Sequence, residues 1–373
     1  MTDPVPIQSP SPSKVSLYFD GDAYFASLRE AIAVARESID LEFYTFASDS
    51  LGWSFAHLLR SKAEEGVRVR LIYDSIGSSS SSIDLFDELE GENISYKAYN
   101  PLLPLWRNFG RRNHRKIAVI DRKIGFLGGF NLASEYSNFH SSGKGWRDTG
   151  VRIEKLELVL SLQKLFEESW QEREISLRKF LKKRRKRANS QRGNLYLTPN
   201  YGWKSKSLIR HEYLSAIVRA KESVEITNPY FIPDPVTLRA LRKAAQRGVK
   251  VSILTAGPCD VRIAHWAGQA TYSRLLRAGV RIFEFQPCIL HAKTASVDGE
   301  WFTVGTANID HLSFFKNLEV NLIGRDAALA GLVSAQFQED LAQSKEILRQ
   351  SWKKRGTFAR LRERFFFWFR EWL

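Results

Sequence analysis

The chain has 373 residues, 43% of them hydrophobic and 12% aromatic, which is enough for two domains with separate cores and excludes a disordered polypeptide. Its two cysteines, Cys259 and Cys288, exclude a disulfide framework, and no Cys/His spacing matches zinc; two half-buried thiols in a reducing compartment are expected. The formal net charge of +15 favours an anionic partner, either nucleic acid or an anionic membrane, and does not by itself choose between them.

Thr2 to Lys14 mixes Pro and Ser without apolar periodicity and reads as a flexible tail. Met1 to Pro12 lacks the basic start and apolar stretch of a signal peptide. No window reaches the roughly 18 apolar residues of a membrane span, so a peripheral rather than an integral protein is expected.

An apolar run, Ile39 to Phe46, alternates at Ile39, Leu41 and Phe43 as a strand does. A helical stretch follows, Phe55 to Glu65, then a second strand, Val67 to Tyr73. The same order returns later as a strand at Val224 to Phe231, a helix at Val236 to Gln246 and a strand at Val249 to Leu254. Between the repeats lie an amphipathic helix, Leu156 to Arg173, and a basic stretch, Arg178 to Arg192, suited to anionic headgroups or phosphates. Strands alternating with helices in a duplicated unit predict an α/β fold of two α/β/α domains, each a mixed sheet flanked by helices. The expected boundaries are a tail at 1–14, a first domain at 15–177, a linker at 178–193, a second domain at 194–350 and a C-terminal helix at 351–373.

Each half also carries a His-x-Lys-x4-Asp motif. The first is His114, Lys116 and Asp121; the second is His291, Lys293 and Asp298. Residues two apart on a strand point to one face, so each motif places an imidazole and an ammonium in one pocket. A Gly-rich turn follows each motif, Gly128-Gly129-Phe130-Asn131 and Gly305-Thr306-Ala307-Asn308, with the same His-to-Asn distance in both halves. Glycine admits a close approach of the backbone to a ligand, while Thr306, Asn131 and Asn308 add neutral hydrogen bonds. Glu319, and Asp148 at a comparable place in the first half, are candidates to orient an imidazole.

These motifs resemble the phospholipase D superfamily over nearly the whole folded chain. Within it, the chain is most similar to bacterial cardiolipin synthases of a short type without N-terminal membrane spans. That narrower likeness is carried by Tyr73-Asp74-Ser75-Ile76-Gly77-Ser78, Arg112-Asn113-His114-Arg115-Lys116, Trp146-Arg147-Asp148-Thr149, Pro229-Tyr230-Phe231-Ile232-Pro233-Asp234, Leu290-His291-Ala292-Lys293 and Asn317-Leu318-Glu319. One departure is Leu312 before Ser313, where the family pattern often has Arg.

The resemblance implies one active site at the interface of the two domains. It further implies attack of His114 on phosphorus to give a phosphohistidine, with His291 protonating the departing alcohol and then deprotonating the incoming one. Lys116 and Lys293 would hold phosphate oxygens, with no metal and no cofactor, and Asp121 and Asp298 would support the motif rather than touch phosphorus. Donor and acceptor would both be phosphatidylglycerol, giving cardiolipin and glycerol; water as acceptor would make the protein a phospholipase D instead. A nuclease of the same superfamily is the other alternative. The synthase-like flanks and the C-terminus weigh against nucleic acid as partner.

At the C-terminus, Phe358, Leu361, Phe365, Phe369 and Trp372 recur at helical spacing among Arg360, Arg362, Arg364 and Arg370, with Phe366, Phe367 and Trp368 widening the apolar face. A basic aromatic helix of this kind lies in a membrane interface, the alternative being a helix packed on the domain surface. It predicts an anionic phospholipid membrane as partner and a peripheral position on the cytoplasmic face of the cell membrane. Pro101 to Phe109 reads as a second lipid-touching loop at the mouth of the site or, alternatively, as a buried connection.

Overall fold

A computed structural model describes residues 14–101, 111–143, 145–171, 194–202 and 207–372. The tail up to residue 13, the loop from 102 to 109 and the basic stretch at 178–192 lie outside the described residues. The chain divides into two compact units, 1–199 and 200–373, with the strand at Leu195–Tyr201 crossing the division and described below with the second unit, whose sheet it joins.

The first unit runs β1 (Val15–Tyr18), α1 (Gly21–Ala33), β2 (Ser38–Phe43), α2 (Ser50–Glu64), β3 (Arg68–Asp74), α3 (Ile83–Asp87), β4 (Ile94–Tyr99), β5 (Ile117–Ile120), β6 (Ile124–Gly128), a single 3-10 turn (Ser134–Tyr136), β7 (Gly150–Ile153) and α4 (Leu156–Trp170). Its seven strands form one sheet in the order β1-β7-β6-β5-β2-β3-β4. β2, β3 and β4 are parallel; β5, β6, β7 and β1 pair antiparallel.

The second unit continues with β8 (Leu195–Tyr201), α5 (Leu208–Arg219), β9 (Ser223–Thr227), α6 (Pro235–Gln246), β10 (Lys250–Ala256), α7 (Arg262–Arg277), β11 (Arg281–Phe285), β12 (Thr294–Val297), β13 (Trp301–Gly305), α8 (His311–Phe315), β14 (Leu318–Arg325), α9 (Ala327–Ala342), β15 (Ser344–Glu346), α10 (Arg349–Lys353) and α11 (Thr357–Trp368). Its sheet reads β8-β14-β13-β12-β9-β10-β11-β15. Apart from the extra edge strand β15, that is the order of the first sheet. The repeat visible in the sequence is thus a repeat of topology, strand for strand.

Helix starts follow from local chemistry. Asp20, Asp49, Asp234 and Asp326 each accept a backbone N–H from the first turn of α1, α2, α6 and α9. Pro235 occupies the first turn of α6, where its missing N–H costs nothing. Ile39, Leu41 and Phe43 of β2 join the core that also holds Phe25 and Leu28 of α1 and Phe55 of α2. The alternate residues Asp40 and Glu42 face the other way and are fully buried as well. Asp40 accepts from Arg70 at 2.6 Å and from Gln163 of α4 at 2.8 Å, and Ser169 of α4 donates to Glu42 at 2.8 Å. Helices therefore cover both faces of a strand that the period-two pattern marks as one-sided.

Candidate active site

Neither His-x-Lys pair lies within a strand. His114 and Lys116 occupy the extended segment leading into β5, and His291 and Lys293 the one leading into β12. The expected sharing of a side still holds, because extended backbone alternates whether or not it is paired. Lys293 Nζ lies 2.8 Å from His291 Nδ1, and Lys116 Nζ donates to the His114 carbonyl at 3.0 Å. Lys293 likewise donates to the His291 carbonyl. Both lysines are nearly fully buried, so each ammonium is held at its own motif's histidine.

The aspartates end up elsewhere. Asp121 lies five residues beyond Lys116, and at roughly 3.3 Å per residue its backbone is about 16 Å further along. Asp121 there accepts the backbone N–H groups of Arg36, Glu37 and Ser38 at 2.9, 2.8 and 2.9 Å. Asp298 does the same for Lys221, Glu222 and Ser223, at 3.0, 2.8 and 2.9 Å. Both residues sit at positive φ, 50° and 54°, a conformation Asp tolerates better than most side chains. Each thus ties the end of its motif strand to the start of the neighbouring β2 or β9, and neither is brought to the His and Lys.

Burial pushes the Asp121 and Asp298 carboxyls up, but the three N–H donors outweigh it and hold both below the usual carboxylate value. A lowered folded pKa stabilises the fold above the ordinary Asp pKa, and that stabilisation is lost as pH falls through the folded value. Asp121→Ala and Asp298→Ala are each expected to cost about 1–3 kcal/mol at neutral pH. Urea unfolding at pH 7 and near pH 3 checks this: the deficit should shrink at the lower pH.

The second carboxylates are placed by register. Gly128 pairs with Gly150 and Gly305 pairs with Asn321, so Asp148 and Glu319 each stand two residues before the partner of the glycine. The N–H groups of Gly129 and Thr306 donate to the carbonyls of Thr149 and Val320, both at 3.0 Å. Asp148 and Glu319 are thus equivalent positions, both fully buried, although the linear sequence offset between the repeats does not align them. A Cβ at Gly129 would fall 2.0 Å from Asp148 Oδ1, so this glycine makes room for the carboxylate. In the second half Thr306 occupies that position, and its hydroxyl donates to Glu319.

Asn131 is also buried; it accepts from the Thr45 N–H at 3.1 Å and donates to the Tyr136 hydroxyl at 2.9 Å. Asn308 is buried with its carbonyl Oδ1 without a protein partner.

Three features escaped the sequence reading. Tyr44 meets the His114 ring edge-on with centroids 5.2 Å apart, and Tyr230 meets His291 in the same way at 6.4 Å. Burial, then Asp74, push the Tyr44 hydroxyl up to about 12, so it stays neutral. The two tyrosines are not at equivalent positions of the repeat, following β2 by one residue and β9 by three, so a comparison of the halves does not pair them. Secondly, Asn113 anchors the first motif: its N–H donates to Asp74 at 2.9 Å and its side chain to Glu42 at 2.7 Å. Thirdly, Asp310, which caps α8, is fully buried, and burial followed by the neighbouring Glu319 raises it to about 7.

The family model described as "Cardiolipin synthase, PLD-like domain" matches residues 28–170 and 213–341, once in each repeat. The chain belongs to this family, and with it to the phosphatidyltransferases of the phospholipase D superfamily. Cardiolipin synthase 1 of Staphylococcus aureus (strain COL) is 35% identical over 361 residues, covering 94% of this chain and 72% of its own. Cardiolipin synthase of Clostridium perfringens (strain SM101) is 34% identical over 363 residues, covering 94% and 75%. Among solved structures, phosphatidylserine synthase of Haemophilus influenzae Rd KW20 shares the fold with a TM-score of 0.73 at 14% identity, over 97% of this chain and 96% of that one. Among the described residues, no helix of the family member is long and apolar enough to cross a membrane.

Proposed function

We propose that this protein joins two phosphatidylglycerols into cardiolipin and glycerol, with both His-x-Lys half-sites acting on a single phosphodiester. The observation that carries this is the strand-for-strand repetition of His, Lys and a buried carboxylate in a chain whose relatives are cardiolipin synthases.

The His114 imidazole attacks phosphorus. The phosphorus–oxygen bond to the donor's glycerol breaks as His291 gives that oxygen a proton, leaving a phosphatidyl-histidine and free glycerol. A hydroxyl of the second phosphatidylglycerol then gives its proton to His291 and attacks phosphorus, which releases His114. A phosphodiester anion repels nucleophiles, and Lys116 and Lys293 counter that charge. In the resting protein Lys293 spends a donor on His291 Nδ1; a bound phosphate oxygen competes for that donor and frees the ring for proton transfer. In this reading Asp148 and Glu319 orient the imidazoles, and Asn131, Asn308 and Thr306 in the Gly-rich turns assist with neutral hydrogen bonds. Asp121 and Asp298 act on the fold, through the turns that precede β2 and β9.

The test is lipid mass spectrometry of cells lacking their own cardiolipin synthases, with and without this chain, beside an assay of the purified protein on mixed lipids and on DNA. Cardiolipin with glycerol release supports the reading. Phosphatidic acid as the sole product makes the protein a hydrolase, and cleaved DNA makes it a nuclease. Because two ammonium groups supply the charge neutralisation, EDTA should change turnover by less than about twofold. Loss with EDTA and recovery with a divalent ion would overturn that expectation.

The same reading places the protein against the cytoplasmic leaflet. Support comes from the outward side of α11 and the turn after it, where Phe358, Leu361, Phe365, Trp368, Phe369 and Trp372 are all exposed. Phe358 and Trp368 are 79% and 78% exposed, and as members of a contiguous stripe they mark an interaction surface in a way that singly scattered residues do not. Exposed Arg360 and Arg364 flank them, and each could add about 1 kcal/mol at an anionic surface.

A further inference from the structure

The C-terminal helix differs from the free amphipathic anchor expected from its sequence. Phe366 and Phe367, expected on the lipid-facing side, turn inward and pack with Tyr230 against Ile232, Ala264 and Ala267. Phe366 meets Trp266 of α7 with ring centroids 5.3 Å apart, and the Arg362 guanidinium stacks over the same indole at 4.3 Å. Glu363 is buried and paired with Arg355. Beyond the helix end, Lys316 Nζ donates to the Glu371 carbonyl at 2.7 Å and lies 4.4 Å above the Trp372 ring.

These contacts bracket the second half-site. Tyr230 is the ring that meets His291, and its hydroxyl donates to Asp260. Lys316 stands three residues before Glu319, in the segment that carries this carboxylate next to Thr306. The helix thus packs on the same Ile232, Ala264 and Ala267 cluster as the tyrosine that contacts the histidine, and the turn after it touches the segment that bears the carboxylate, while its opposite face offers a stripe of aromatic residues to solvent.

We propose that α11 is a two-sided part of the second half-site: its outer face rests on an anionic bilayer and its inner face holds Tyr230 against His291, so that lipid docking and chemistry are coupled. This rests on the reading that places His291 at the reacting phosphorus. The occupant of the outer face is a lipid surface because the stripe combines bulky aromatics with arginines, the pair of features an anionic interface rewards. Tyr230 and Phe366–Phe367 are positioning residues. An aromatic ring that shares its packing cluster with the helix and meets the imidazole edge-on limits the rotations open to the histidine, and proton transfer depends steeply on that alignment. Docking removes the fluctuations of a helix that is apolar on two sides, and tightens the same packing.

The experiment uses the full chain and a water-soluble short-chain phosphatidylglycerol below its micelle concentration. It reads glycerol release, with and without vesicles of phosphatidylcholine and a sulfated glycolipid, neither of which can yield glycerol by this transfer. For the wild-type protein, vesicles should bind and raise turnover several-fold. Phe365→Ser/Phe369→Ser should lower vesicle affinity about tenfold or more. Phe366→Ala/Phe367→Ala should still co-sediment with vesicles, yet lose about tenfold in kcat with KM little changed, and vesicles should no longer stimulate it. Phe366→Leu/Phe367→Leu should restore most of kcat, which a mere loss of folded protein would not predict. If the Ala pair fails to fold, Lys316→Met carries the test with the same expected fall in kcat. An inner-face variant that turns over and responds to vesicles like wild type overturns the coupling. Wild-type protein that ignores vesicles while the inner-face variants lose kcat overturns the lipid face and leaves the positioning. Wild-type protein that releases no glycerol at all refutes the transferase reading instead.

Discussion

His114→Ala and His291→Ala are each expected to lower turnover of phosphatidylglycerol by about a thousandfold or more, with the fold retained. The two halves are built alike, but one imidazole cannot be nucleophile and proton carrier in the same step. A substrate whose leaving group needs no proton separates the roles. With a p-nitrophenyl phosphodiester, His291→Ala should still expel p-nitrophenolate in a burst of one equivalent, because the departing anion is already stable. It should then stall, because nothing deprotonates the second alcohol. His114→Ala should give no burst, since no nucleophile remains. Protein denatured at alkaline pH, where a phosphohistidine survives, should carry the substrate's phosphoryl group on His114 only in the first case. A burst from His114→Ala and none from His291→Ala would exchange the roles; near-wild-type turnover in either variant would refute a shared reaction centre.

Much of this was legible in the sequence because the chain states it twice. The order strand, helix, strand, motif, Gly-rich turn at 39–131 returns at 224–308, and the two sheets repeat it in the same strand order. His114, Lys116, His291 and Lys293 could be found because their spacing is local. Asp148 and Glu319 were harder, since their equivalence lies in the pairing of β6 with β7 and of β13 with β14, not in a constant offset along the chain. The partners of Asp121 and Asp298 were not readable at all: backbone N–H groups about eighty residues away leave no signature in side-chain identity. The inward turn of Phe366 and Phe367 was missed for a related reason. A helical wheel sorts residues by hydrophobicity, and when two faces are aromatic it cannot say which one meets protein.

Arg115→Ala is expected to destabilise the first unit by about 3–5 kcal/mol, while the equivalent position of the second motif is already Ala292. The two halves solve the same packing problem by different means. Ala292 sits in an apolar cluster with Leu254, Phe283 and Phe337. Arg115 is 1% exposed and lies 3.9 Å from the fully buried Glu42, with Ser169 accepting from its guanidinium at 3.3 Å. Burial raises the Glu42 carboxyl, and Arg115, Asn113 and Ser169 act against that rise. Removing the guanidinium leaves a buried carboxylate with neutral donors only, and its pKa climbs further. A group whose folded pKa is raised loses stability as pH rises through that value, so the deficit of Arg115→Ala should be larger at pH 8 than at pH 5. Glu42→Gln keeps an acceptor for Asn113 and Ser169 while removing the charge. The pair Arg115→Met/Glu42→Gln should therefore recover most of the loss and flatten its pH dependence. Because Asn113 hangs from Glu42 and carries the backbone next to His114, the single variant should also lose kcat, and the pair should regain part of it. Chemical unfolding of the three proteins across that pH range gives the answer. A single variant as stable as wild type at pH 8, or a pair no better than the single, would mean that Glu42 is not held by the charge of Arg115.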